Sequence, residues 1–183
     1  MAGIIFLVIL VVIAVVLIGM YNSLVQLRVR ADSAWSDIDV QLKRRHDLIP
    51  NLVETVKGYA AHEKGTFENI AKYRSMAMQA TTTADRVQAE NQLTQSLKSL
   101  FAVAENYPQL QASGQFQQLQ NSLNGLEGDI QNSRRYYNAV VRDLNTKIQS
   151  VPTNVLAGMF GFKLRQFFEA PEGEREPVAV KFT

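Results

Sequence analysis

The first 27 residues carry no charged side chain, and Ile4 to Met20 is a run of apolar residues interrupted only by Gly19. Crossing a bilayer core takes roughly 17–25 helical residues. No alternation of apolar and polar residues appears before Tyr21, which argues against an amphipathic helix of a soluble core. The sequence therefore predicts a transmembrane anchor over residues 1–21.

We expect this anchor to remain uncleaved. A secretory signal peptide has a basic start, a short apolar core and a small-residue cleavage site. Here no Lys or Arg precedes the apolar run, and the residues from Leu17 to Tyr21 offer no good cleavage site. The chain has no cysteine, so lipoprotein processing is excluded.

The basic residues predict the orientation of the anchor. Arg28 and Arg30 follow it directly, whereas no Lys or Arg precedes it. The positive-inside rule then places the N-terminus outside and the body in the cytoplasm, on the inner (cytoplasmic) membrane. Tyr21, Arg28 and Arg30 are the predicted contacts with the membrane interface. The lack of cysteine is compatible with a reducing compartment.

The composition of the body favours long helices over sheets. Gln, Asn, Ala, Leu and Ser are abundant, and only Pro50 and Pro108 precede Pro152. The formal net charge is +2, and basic residues are not interleaved with aromatic ones. These features give no reason to expect a nucleic-acid partner.

Apolar residues recur at steps of three and four from the anchor to Leu42, so we expect one helix to run from the membrane into the body. Pro50 should either kink this helix or restart it. The pattern resumes from Leu52 to Ala77, and Gly58 and Gly65 do not force a break in it.

Two short loops are predicted, at 80–84 and at 111–115. Thr82, followed three residues later by Asp85, is typical of a helix start. One apolar seam runs from Leu93 to Tyr107, and a longer one from Phe116 to Leu144. Gly125 and Gly128 interrupt the longer seam, and close approach of a neighbouring helix would compensate for them.

Helices with one apolar seam each must bury those seams on one another. We therefore predict an all-α fold, an elongated antiparallel bundle of long helices over residues 22–151. Residues 152–183 form a predicted irregular tail, whose last part, 177–182, alternates as a strand does. Phe160, Phe162, Phe167 and Phe168 in this tail must be buried on the bundle, the bilayer or another subunit.

Four blocks of sequence resemble one known family. They are YNSLV at 21–25, AWSDIDVQLKRRHDLIPNLVETVKGYAAHE at 34–63, SRRYYNAVVRDLN at 133–145 and FGF at 160–162. Together they resemble the LemA family, in the same order and over nearly the whole chain. The resemblance implies a single-pass anchor, a short outside tail and an all-helical body. The family also includes a magnetosome membrane protein, which favours a role in membrane organisation.

No catalytic, cofactor-binding or metal site is predicted. His62-Glu63 begins like a zinc-protease motif, but Thr66 stands where the second histidine is needed. His46 lies 16 residues before His62 and could meet it only through folding. No nucleophile elbow or phosphate-binding glycine loop is recognisable. We therefore expect no enzymatic activity and no cofactor.

The candidate interaction surface combines a charged stretch with the tail. Its members are Asp37, Asp39, Lys43, Arg44, Arg45, Phe160, Phe162, Phe167 and Phe168. The charged residues can equally form a solvated helix face with pairs three or four residues apart. Trp35, the only tryptophan, is either a core residue or an exposed contact.

Two functions fit the sequence best. The first is a membrane-anchored scaffold that self-assembles as a homo-oligomer and organises the membrane or its proteins. The second is a monomeric adaptor that recruits or regulates another envelope protein, such as a protease or transporter. The lipid bilayer is a partner in both.

Overall fold

The structure, a computed structural model, describes residues 1–168. This range forms six helices. They are α1 (Ala2–Lys57), α2 (Lys64–Gln79), α3 (Thr83–Ala104), α4 (Pro108–Gln111), α5 (Gly114–Gln149) and α6 (Thr153–Met159). The predicted all-α class with long helices is confirmed. The strand predicted at 177–182 lies outside the described residues.

α1 is continuous over 56 residues, so the helix does run from the apolar segment into the body as predicted. Side chains from Ile4 to Ile18 are exposed, and this helix is long and apolar enough to cross a membrane. Pro50 lies inside α1 and does not restart it.

The missing N–H of Pro50 is compensated from α2. In an α-helix the N–H of residue 50 would donate to the carbonyl of residue 46, and proline has no such donor. The Nε of Arg74 donates instead to the His46 carbonyl oxygen, at 2.9 Å. A side chain of α2 therefore satisfies the acceptor that proline leaves free.

The helix break falls at 58–63, so the expected continuity from Leu52 to Ala77 is wrong. Gly58 and Gly65 flank this turn, and glycine is unfavourable in a helix interior. The backbone N–H of Ala60 still donates to the Val56 carbonyl at 2.9 Å, and Ala60 is buried. The turn sends α2 back along α1, because the Lys57 ammonium lies 5.7 Å from the Phe67 ring centroid while Arg74 reaches His46.

The loop after α2 and the start of α3 lie where the sequence predicts them. The Thr82 hydroxyl accepts a hydrogen bond from the Asp85 backbone N–H at 3.1 Å and donates to the Asp85 carboxylate at 2.7 Å. This reciprocal contact satisfies a free donor of the first turn of the helix. The N-terminal cap predicted at Thr82 is confirmed.

The described chain divides into two compact units. Unit 1 comprises residues 1–40 and 131–167, and unit 2 comprises 41–130 with Phe168 among the described residues. The divisions expected after residues 21 and 151 stay a prediction.

In unit 1, α1 and α5 are antiparallel. The Trp35 ring packs on Tyr137 with centroids 5.2 Å apart, while Ser23 and Ser150 line one groove further along the pair. Leu24, Ala31, Ala34 and Ile38 of α1 are buried here. Trp35 itself is half-buried, so it belongs to the packing of these two helices.

In unit 2, α1, α2, α3 and α5 share a core. Phe101 of α3 and Phe116 of α5 lie with ring centroids 6.4 Å apart, close to the turn between these helices. The buried apolar residues are Ile49, Leu52, Val56, Ala60, Phe67, Ile70, Leu93, Leu97, Leu100, Ala104, Leu110, Phe116 and Leu123. Most of these are predicted seam positions, whereas Ile49, Ala60 and Leu110 are buried in addition to them. Their burial explains why each long helix has one apolar face.

Two local expectations fail. Among residues 1–168, a Cβ added at Gly125 or Gly128 would meet nothing within 4 Å, so none of the described helices closely approaches these glycines. In the tail, Thr153–Met159 is helical although glycine and aromatic residues argued against it. Burial of Leu156 and Ala157 supplies the packing that propensity lacks.

Candidate interaction surfaces

The end of α6 is fixed by a glycine. Gly161 has φ +70°, in the left-handed region that favours glycine. The Phe162 N–H donates to the Ala157 carbonyl at 2.9 Å, and the Gly161 N–H donates to Gly158 at 3.3 Å. This is the Schellman arrangement, which satisfies the last carbonyls of a helix. It also sets the directions of Phe160 and Phe162.

Both phenylalanines pack on a residue at the end of the apolar segment. The Tyr21 ring centroid lies 4.8 Å from that of Phe160 and 6.0 Å from that of Phe162. The Arg28 guanidinium lies 5.2 Å from the Phe162 ring centroid, within reach of a cation–π contact. The structure therefore joins two predicted membrane-interface residues to two predicted tail residues. Arg30 is exposed and lines the groove beside Ser23.

The chain from Phe162 to Phe168 has no regular secondary structure and is held by side chains of α1 and α5. Asn145 accepts from the Arg165 N–H at 2.9 Å and donates to the Arg165 carbonyl at 2.8 Å. The Arg165 guanidinium pairs with Asp32, and the Tyr137 hydroxyl donates to the Gln166 carbonyl at 3.0 Å. Burial raises the pKa of Tyr137, against the lowering effect of Arg165. These bonds give residues 162–167 a defined position.

Side chains within this fixed segment differ in exposure. Leu164 and Phe167 are 53% and 42% exposed, whereas Phe168 is 2% exposed. Of the alternatives predicted for Phe168, burial within the protein therefore holds, and its side chain is not part of an exposed interaction surface. The fixed backbone of unit 1 therefore leaves two large apolar side chains, Leu164 and Phe167, exposed.

The charged stretch on α1 is mostly solvated. Asp37, Lys43 and Arg44 are exposed, and Asp39 is partly buried. The Lys43 ammonium lies 2.7 Å from the carboxylate of Asp47, and this hydrogen bond lowers the pKa of Asp47. An exposed pair of this kind contributes little to stability. A partner-binding role for these residues stays a prediction.

Arg45 is not part of that surface, because its side chain is fully buried. The surface position predicted for it is wrong. Its spacing explains this, since Leu42, Arg45 and Ile49 follow the steps of three and four of the buried seam of α1. Glu90 and Glu127 also lie at seam positions of their helices. Glu90 is three residues before the buried Leu93 on α3, and Glu127 is four residues after the buried Leu123 on α5.

The three charged seam residues meet in the core of unit 2. The Arg45 guanidinium pairs with Glu90, contacts a Glu127 carboxylate oxygen at 2.5 Å and donates to the Thr94 hydroxyl at 2.9 Å. The His46 Nε2 lies 2.9 Å from a Glu90 carboxylate oxygen. We call Arg45, His46, Glu90, Thr94 and Glu127 the buried charge cluster.

The charges of the buried charge cluster compensate one another. Burial opposes ionisation of Arg45, but Glu127 and Glu90 outweigh it and raise the pKa of Arg45. Burial also raises the pKa of Glu90, while contact with His46 and the charge of Arg45 lower it to a net value below the ordinary one. Both residues are therefore charged in the folded protein at neutral pH.

The histidines do not meet in one site. His46 faces Glu90, whereas His62 is exposed in the turn after α1. Across residues 1–168, no group of three or more His, Asp or Glu side chains is placed to hold a metal ion.

Taken together, the helices and the exposed apolar segment of α1 define a membrane-associated helical protein. The LemA family model matches residues 34–182, which is most of the chain. The chain belongs to the LemA family, as its sequence blocks predicted.

Individual relatives are similar at a lower level. Two magnetosome proteins of Paramagnetospirillum magneticum, MamQ 1 and MamQ 2, are each 27% identical over 181 residues, covering 84% of this chain and 66% of the relative. Protein LemA of Metamycoplasma hominis is 27% identical over 164 residues, covering 89% of this chain and 75% of that protein. The chain thus spans slightly less than two thirds of the magnetosome relatives.

Proposed function

We propose that this protein is a membrane-anchored helical scaffold that self-assembles and organises the membrane or its proteins. The anchor is the apolar part of α1, in the inner membrane, with the N-terminus outside and the body in the cytoplasm. The observation that carries the proposal is the exposure of two large apolar side chains, Leu164 and Phe167, on a surface segment whose backbone is already held in place. Similarity to magnetosome proteins supports a role at a membrane-bound structure.

The fixed backbone around Leu164 and Phe167 favours binding of these two side chains to another protein or another copy of this chain. The segment bearing them is held by Asn145, Tyr137 and Asp32 before any partner arrives. A contact surface that is ordered in advance loses less conformational entropy on binding. Anchoring many copies in one membrane adds avidity to a weak contact between bodies.

The buried charge cluster fits a structural role within the body. Its central side chains, Arg45 and Glu90, are fully buried. Arg45 of α1 pairs with Glu90 of α3 and Glu127 of α5, which fits a part in holding these three helices in register. Charged groups in a core can specify one arrangement of helices even where they add little stability.

The first test measures the mass and shape of particles of the full-length protein in mild detergent. The wild type should form discrete assemblies. The double variant Leu164→Ser/Phe167→Ser should shift the distribution to smaller species, because it removes the apolar contact. The control variant Met76→Ser/Met78→Ser changes side chains of α2 that are 49% and 58% exposed, and should leave the assemblies intact.

A wild-type protein that is monomeric with its helices intact would contradict self-assembly. Crosslinking in native membranes would then be expected to capture a different envelope protein, which is the adaptor function. If the double variant forms the same assemblies as the wild type, Leu164 and Phe167 do not make the contact between subunits.

A further inference from the structure

An uncharged stretch surrounds α6. No Asp, Glu, Lys or Arg occurs from residue 148 to residue 162, between Lys147 and Lys163. Within it, Leu156 and Ala157 are buried in the protein, which fixes one face of α6.

The opposite face is apolar and exposed. Val155 and Met159 of α6 are 62% and 74% exposed, and they lie four residues apart. Residues at this spacing share one face of a helix. Val151, just before the helix, and Phe160, directly after it, are 82% and 57% exposed. We call this helix face together with the two flanking residues the outer face of α6. Soluble proteins seldom expose several large apolar side chains together without a partner.

Contacts within unit 1 place the outer face of α6 at the end of the apolar segment. Phe160 packs on Tyr21, and the end of α5 at Ser150 lines a groove with Ser23. The helix from Met1 to Met20 is about 30 Å long at 1.5 Å per residue, which matches the hydrocarbon thickness. Tyr21 therefore stands at the boundary between hydrocarbon and headgroups if α1 spans the bilayer.

We propose that the outer face of α6 inserts into the interfacial layer of the lipid bilayer beside the anchor. The proposal rests on the anchoring proposed above and adds a second, non-spanning contact with lipid. Ile18 of the anchor is 60% exposed and precedes Tyr21 by less than one helical turn, so the apolar surface of the anchor continues onto Phe160. This continuity favours lipid over a second protein copy as the occupant.

The flanking charges fit the same location. Lys147 and Lys163 bracket the uncharged stretch, and lysine side chains extend towards headgroups while their stems stay in apolar surroundings. The Arg28 guanidinium, held over Phe162, adds a third cation near this level. A short helix with an apolar outer face and basic flanks is typical of an interfacial segment.

The test uses three matched valines, because the chain has no cysteine of its own. Single variants Val8→Cys, Val155→Cys and Val29→Cys are made in the full-length protein. The wild-type valines are 52%, 62% and 53% exposed, so intrinsic accessibility is similar. Val8 reports on the anchor, Val155 on the outer face of α6, and Val29 on the helix beyond Tyr21.

Each variant is labelled with a fluorophore and reconstituted into vesicles of phosphatidylcholine and phosphatidylglycerol. Quenching by nitroxide-bearing acyl chains is compared with quenching by aqueous iodide. We expect lipid quenching at Val155 to be of the same order as at Val8 and several-fold stronger than at Val29. Helical content measured by circular dichroism confirms that each labelled protein is folded.

Two outcomes would overturn the proposal while leaving the anchor in place. In one, Val8 is quenched from the lipid but Val155 behaves like Val29. In the other, Val155 is protected from iodide and from lipid nitroxides alike, which would place it in a protein interface. Failure of lipid quenching at Val8 would overturn the anchoring itself and this inference with it.

Discussion

Removing Arg45 should destabilise the protein far more than removing its neighbour Arg44. In Arg45→Met the apolar stem is kept, but Glu90 loses its main cation while its own side chain stays fully buried. Breaking a buried ion pair by removing one partner costs about 3–5 kcal/mol, since a charge is left uncompensated. That corresponds to roughly 150- to 5,000-fold in the unfolding equilibrium constant.

The pairing, rather than side-chain volume, is the source of this effect. The double variant Arg45→Met/Glu90→Met removes both buried charges and should recover most of this loss, so that it is more stable than Arg45→Met by roughly 3–5 kcal/mol. Glu127 is the remaining carboxylate, and its side chain is 26% exposed, so it can be solvated. Acidification should also stabilise Arg45→Met relative to the wild type, because a protonated Glu90 no longer carries an unpaired charge.

The assay is urea unfolding of the full-length protein in detergent, followed by circular dichroism at about pH 7 and about pH 4.5, on either side of ordinary glutamate titration. Arg44→Met is the matched control, since Arg44 is exposed on the same helix turn. Its free energy of unfolding should change by less than about 0.5 kcal/mol. Equal effects of Arg44→Met and Arg45→Met would refute the reasoning, and so would a cost at Arg45 that does not depend on pH.

Three further predictions concern stability. The lowered pKa of Glu90 means that its pairing stabilises the fold fully above the ordinary glutamate pKa of about 4.3 and is lost as the pH falls below it. Urea midpoints measured against pH should therefore fall with acid, and the dependence should be shallower in Glu90→Gln. Arg74→Met should cost about 1–3 kcal/mol in the wild type and much less in a Pro50→Ala background, where an N–H again reaches the carbonyl. Equal costs in the two backgrounds would show that Arg74 does not act through that carbonyl. Gly125→Ala and Gly128→Ala should each stabilise the protein by about 0.5–1 kcal/mol, because both positions have open space. A lower thermal midpoint in either variant would contradict this.

The periodic parts of the chain could be predicted because burial follows the apolar steps of three and four. The seams from Leu93 to Leu100 and from Phe116 to Leu123 lie in the core as expected. The turn at 58–63 was missed, because the apolar pattern continues on both sides of it. Two glycines were its only signal.

The burial of the charged residues Arg45, Glu90 and Glu127 follows from their seam positions and not from the charge of their neighbours. The charged neighbours Lys43 and Arg44 indicate a solvated helix face for Arg45 as well. Its position in the buried seam was the better guide, and so were the opposite charges at the seam positions Glu90 and Glu127. The contacts of Tyr21 with Phe160 and Phe162 could not be predicted, since they depend on a chain reversal set by Gly161.

The bond from Arg74 to the His46 carbonyl also constrains how this sequence can change over evolution. A proline arriving at position 50 beside a residue that cannot donate there would leave a helical carbonyl without its partner. Arginine would therefore have to be present at position 74 before proline arises at position 50, and it would become necessary only once that proline is there. Among related chains, proline at the position of Pro50 should seldom occur without a long donor side chain at that of Arg74, whereas arginine can occur there alone.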